Sequence, residues 1–153
     1  MDNPSPSPTS TPIINKVNPD LGNKNPLDSR PGLIKKEALQ GNATKYTFNS
    51  GQADHPNIII TNSNNNIVFQ STITDPSLPI KISDYTESYG QPKFIFIGTK
   101  SYGSQSRIYI YAELGIAFIA DPQTGNVLEQ QVFNPTKVDD YVRNYGQDIQ
   151  AQP

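Results

Sequence analysis

The pattern Asp-Tyr-x-x-x-Tyr-Gly-Gln occurs twice in this chain, from Asp84 to Gln91 and from Asp140 to Gln147, 56 positions apart in 153 residues. A repeat of that size in so short a chain restricts the fold to arrangements that use one local structure twice. In the first copy Ile82, Tyr85 and Tyr89 fall at i, i+3 and i+7, one stripe of a helix, and Gly90 followed by Pro92 stops it. In the second, Val138, Tyr141, Val142 and Tyr145 form the stripe, Gly146 ends it, and Thr136 with Asp139 reads as an N-cap and its capping box. Both stripes have the spacing of a core-facing helix, so the repeat is read as a structural unit rather than a duplicated ligand site.

The segments before each helix are short β-type runs. Lys45, Tyr46, Thr47 and Phe48 alternate polar and aromatic, as a half-buried strand requires. Residues 57–62 and 66–73 flank a run of Asn and Ser that tolerates left-handed backbone, which predicts a hairpin. Residues 93–98, 106–112, 115–120 and 126–133 are strands of similar length, the last two joined by a turn with Pro122 and Gly125. The hairpin over 58–70 aligns with residues 117–130 at an offset of 59 to 60, so the likeness extends beyond the helices. Residues 32–40 favour a helix by composition and a hairpin strand by their position before residues 41–48; they are read as a further strand, with the helix kept as the alternative. The expected fold is α+β: an antiparallel β-meander sheet with two short helices on one face, built from two similar β-meander-plus-helix units, 32–90 and 91–147, within a domain over 32–153.

Residues 1–31 differ from all of this, holding seven of the 14 prolines. Proline cannot donate to a ladder or a helix, so the stretch is expected to be a disordered, extended spacer. Such a Pro/Ser/Thr spacer commonly follows a lipid or membrane anchor, and the expectation is that an anchor precedes Asp2 in the full-length protein. No run within the sequence approaches the ~20 apolar residues that span a bilayer.

Composition narrows the chemistry. With 12 basic and 14 acidic residues and no Lys/Arg cluster, phosphate tracking is not supported and nucleic acid is excluded as the expected partner. Cysteine is absent and histidine occurs once, so thiolate and histidine-rich metal sites are excluded within one chain, and neither metal nor cofactor is expected. His55 reads as a loop residue, Asn62, Asn64 and Asn66 as a turn lacking the carboxylates of a calcium loop, and Asp139, Asp140 and Asp148 as cap and surface. Asn42 opens an Asn-Ala-Thr sequon, and Gly98–Ser106 lacks the Lys-Ser/Thr ending of a phosphate loop and reads as a mobile hairpin tip. No catalytic residue is identified.

Residues 82–133 resemble the BamE-like and β-lactamase-inhibitor-protein-like family of small extracytoplasmic domains. The likeness rests on a helix closed by Tyr89-Gly90, the following Pro92, the aromatic strand around Tyr109 and Tyr111, then residues 115–121 and the Gly125 turn to a last strand. Members of this family usually carry two helices before the strands, whereas Pro76 and Pro79 leave room here for one. The resemblance implies a non-enzymatic binding module, lipid-anchored outside the cytoplasm, and transfers no catalytic residue.

The expected function is thus a protein-interaction module in the periplasm or on the cell surface, held on its spacer, with another protein or a cell-envelope component as partner. The alternative is a carbohydrate- or peptidoglycan-binding module that uses surface tyrosines. Alternation in residues 106–112 sends Ile108 and Ile110 to one face and Arg107, Tyr109 and Tyr111 to the other. If both helices cover the isoleucine face, Arg107, Tyr109 and Tyr111 are left open as the partner-binding surface.

Overall fold

A computed structural model describes residues 27–150. Eight strands run β1 (Leu33–Ala38), β2 (Thr44–Phe48), β3 (Asn57–Thr61), β4 (Ile67–Ile73), β5 (Phe94–Thr99), β6 (Gly103–Tyr111), β7 (Ile116–Ala120) and β8 (Val127–Phe133). Helix α1 (Ile82–Tyr89) joins β4 to β5, and α2 (Val138–Tyr145) follows β8. All strands pair antiparallel in one sheet of order β1-β2-β3-β4-β8-β7-β6-β5. Each group of four is a meander, and the two meet where Ser71 of β4 pairs with Gln131 of β8.

The turns follow from their residues. Asn62 Oδ1 accepts from the amides of Asn64 and Asn66 at 3.0 Å, and Asn65 takes φ 65, so the β3–β4 loop is the predicted turn. Asp121 Oδ1 accepts from the Gln123 amide and Gly125 takes φ 76 between β7 and β8. Both helices end near their glycines, for different reasons. Gly90 has φ 83, whereas Gly146 has φ −92 and is required by space, because a Cβ there would stand 2.5 Å from the Val142 carbonyl oxygen. The expected cap at Thr136 is corrected by one residue: Lys137 is the N-cap of α2 and makes no side-chain cap bond, so Thr136 and Asp139 form no capping box.

The two helices lie on opposite faces of the sheet, not on one. Tyr85 of α1 packs with Tyr111, Ile116, Phe118 and Val132, while Tyr141 of α2 packs with Ile108, Ile110, Ala117, Ile119 and Phe133. Those two sets alternate along β6, β7 and β8, and alternation in a strand means opposite faces. The physical reason is in β7, where all five residues are buried. A strand covered on both sides carries a continuous apolar run instead of a polar-apolar alternation.

On the α1 face, the half of the sheet that α1 does not reach is covered from the N-terminal side. Tyr46, Phe48, Ile59 and Ile67 cluster with Leu27, which sits in a 3-10 turn (Leu27–Ser29) and is 2% exposed. The spacer expected over residues 1–31 therefore ends earlier: residues 27–31 belong to the domain. Its proposed disorder falls on residues 1–26, outside the described residues. At the far edge of the sheet, Gln150 N donates to Gly98 O and Lys100 N to Asp148 O, so residues 148–150 lie along the outer side of β5.

Removing residues 1–26 is expected to leave the melting temperature nearly unchanged, while Leu27→Ala costs about 2–5 kcal/mol as a large-to-small core change. Chemical denaturation of both variants measures this, and a Leu27→Ala protein as stable as the parent would contradict the assignment of Leu27 to the core.

Candidate functional site

The α2 face above β3 and β4 is only partly covered. Helix α2 lies toward β6–β8, and what remains is a cleft of about 450 Å³. Its floor is apolar: Ile58 and Ile60 of β3, Phe69 and Ile73 of β4. Strand pairing places these on one face, with Ile58 opposite Ser71 and Ile60 opposite Phe69. Tyr145 of α2 stacks on Phe69 at 4.4 Å between centroids and forms a side wall.

The end wall is polar and comes from β8. Glu129 and Gln131 stand two apart on this face, beside Ser71 of β4. Ser71 Oγ and Gln131 Nε2 both donate to Glu129 Oε2 at 2.7 Å, and Tyr102 Oη approaches Oε1 at 3.4 Å. Gln131 Oε1 accepts from Tyr141 Oη, which anchors the carboxylate shell to α2. Burial pushes the Glu129 carboxyl above its ordinary value of 4.5, the bonds from Gln131 and Ser71 oppose the rise, and nearby Asp148 adds to it. Such a perturbed carboxyl at the foot of an apolar cleft marks a candidate site.

Two loops set the opposite wall. Ser50 Oγ donates to the His55 carbonyl, the Gln52 amide donates to Ser50 Oγ and the His55 amide to the Gln52 carbonyl, which curls residues 50–55 inward. His55 then stacks on Tyr102 at 4.2 Å and 7°. The Tyr102 amide donates to Thr99 Oγ1, and burial followed by Glu129 raises the phenol pKa. The hairpin tip keeps Lys100, Ser101, Ser104 and Gln105 exposed, and Ser101 ties it to Asp148 through its amide and hydroxyl at 2.9 and 2.8 Å. Lys45, Asp54 and Asp148 complete the rim.

The surface expected from Arg107, Tyr109 and Tyr111 is not the open face that the sequence implied. α1 packs over its Tyr111 end, because the helices are on opposite sides, while Arg107 and Tyr109 stay half-buried. Tyr111 is 7% exposed, donates to the Gly90 carbonyl at 2.6 Å and has its pKa raised to about 12, mainly by burial. Tyr109 is half-buried against the same cluster. Arg107 turns its guanidinium back onto the carbonyls of Gln105 and Ser106 at 3.1 and 3.0 Å. What stays open beside Tyr109 and Arg107 is the edge strand, where Ile95 and Ile97 are 43% and 52% exposed.

Glu129, Ser71, Gln131 and Tyr102 were not identifiable from the sequence as site residues. The one available signal was a glutamate inside a predicted strand, third of the seven residues Val127–Phe133. Among the described residues no group of three or more His, Cys, Asp or Glu is placed to hold a metal ion.

A carboxyl with a higher pKa folded than unfolded binds more protons in the folded state, so its contribution to stability falls as pH rises from its ordinary value through the raised one. Denaturant unfolding of the parent and Glu129→Gln from pH 4 to 8 should show the parent losing stability relative to the variant over that window. Parallel curves, or a divergence of opposite sign, would refute the raised pKa.

No family model, curated protein or solved structure matches this chain.

Proposed function

We propose that this domain is a non-enzymatic binding module, whose ligand is a segment of another protein seated in the cleft above β3 and β4. The observation that carries this reading is the cleft itself, with an apolar floor of Ile58, Ile60 and Phe69 and an end wall of fixed polar groups around Glu129. Binding sites commonly combine a mostly apolar concavity with a few positioned polar groups. The role is the one implied by the resemblance to BamE-like and β-lactamase-inhibitor-protein-like domains, and the proline-rich segment before Leu27 fits a spacer holding the domain outside the cytoplasm behind an N-terminal anchor.

The two halves are read here as one unit used twice. Support comes from the registers: Tyr46 pairs with Ile59 and Tyr109 with Phe118, at equivalent places in β2–β3 and β6–β7. The halves differ in which face their helix covers, and the cleft lies where α2 leaves the first half open.

Peptides selected from a random library against residues 27–153 should perturb backbone resonances of β3, β4, β8 and α2. Asn144→Trp, an exposed position at the mouth of the cleft, should abolish that binding without loss of stability. Perturbations confined to Ile95, Ile97 and Tyr109 would move the site to the β5 margin. Cleft perturbations produced by oligosaccharides and not by any peptide would favour a carbohydrate-binding module instead.

A further inference from the structure

The end wall of the cleft presents acceptors and almost no free donors. Ser71 Oγ and Gln131 Nε2 are both directed at Glu129 Oε2. Glu129 Oε1 receives only the long 3.4 Å approach of Tyr102 Oη, so it retains acceptor capacity toward the cleft. Among the described residues no ion pair reaches Glu129. Glu129 is half-buried at this wall, and a carboxylate partly withdrawn from water without a cation carries a cost that a partner supplying the charge offsets.

The charges around the cleft point the same way. Lys45 of β2 is the one basic side chain lining it, against Asp54 of the β2–β3 loop, Glu129 of β8 and Asp148 after α2. His55 is committed to its stack on Tyr102. An anion entering here would meet three carboxylates. A neutral acceptor would find the Ser71 hydroxyl and one N–H of Gln131 already used on Glu129, leaving the second Gln131 N–H as its one donor from that pair. A cation on an apolar stem would cover Ile58, Ile60 and Phe69 with the stem and bring hydrogen-bond donors to Glu129 with the head.

We infer that the cleft takes an ammonium or guanidinium group on an aliphatic stem, the cationic head docking on Glu129 and the stem lying over Ile58, Ile60 and Phe69. This rests on the cleft being the ligand site. The chemistry is shared by a lysine or arginine side chain of a protein and by a free organic amine.

Amide resonance titrations with n-butylammonium and with 1-butanol compare a charged and a neutral head on one stem. The expected result is saturable shifts at residues 58–60 and 129–131, with the ammonium bound at least tenfold more tightly. The Glu129 carboxyl carbon should titrate at lower pH when the ammonium is bound, a readout that needs no substitution. Glu129→Gln, checked for folding by its amide spectrum, should erase the preference. A capped Gly-Lys-Gly peptide binding more tightly than butylammonium identifies a protein side chain as the source, and the reverse order identifies a free amine. Equal cleft shifts from butanol and butylammonium would overturn the cationic assignment and leave the cleft as a binding site. Absence of cleft shifts from both probes, together with library peptides that map elsewhere, would overturn the cleft as well.

Discussion

Two hydrogen bonds on adjacent residues organise this molecule. Tyr85 of α1 donates to Gln130 and Tyr141 of α2 donates to Gln131, both side chains buried in the middle of β8. Neighbouring residues of a strand point to opposite faces, so these bonds place one helix on each side of the sheet. A buried glutamine without a partner is costly, and each tyrosine covers that cost while its ring fills the core: Tyr85 lies 4.1 Å from Phe118 and Tyr141 4.9 Å from Phe133. Gln70, beside Val132 on the α1 face, shows the contrast, since its Oε1 has no partner among the described residues.

The cleft follows from that placement. With α2 committed to the Ile108, Ile110, Ala117 and Ile119 surface, the part of the same face over β3 and β4 is lined by Tyr145 and by His55, which is backed by its stack on Tyr102. Gln131 links the two features, because it accepts from Tyr141 and donates to Glu129. The carboxylate is therefore oriented by the same side chain that seats the helix, and the geometry of the site and the stability of the fold are not independent.

Local structure was legible from the residues. The strands, the Asn62–Asn66 and Asp121–Asn126 turns and both helices appear where periodicity and turn chemistry put them, because those signals act within a few residues. The assignment of faces was not legible in the same way. Tyr109, Tyr111, Ile108 and Ile110 are all suited to burial, so their alternation marks two faces without saying which is covered. The five-residue apolar run of β7 was the better indicator of two covered faces, and it outweighs the alternation of β6. Glu129 stayed hidden because its neighbours, Ser71, Tyr102 and Asp148, come from three other elements, and only the order of strands brings them together. Leu27 was obscured by the prolines around it, since composition averages over a window and a single anchoring side chain does not.

The bonds between residues 148–150 and 98–100 have a meaning beyond geometry. Strand β5 ends the sheet, with Phe94 and Ile95 both 43% exposed, the kind of edge on which other chains can add. By lying against its far end, the segment after α2 shortens the ladder available to a neighbour. The tether from Asp148 to Ser101 keeps it there, although Asp148 also sits on the rim of the cleft. A change at the cleft rim that loosens the Asp148 tether would lengthen the open edge, and solubility is where that change would register.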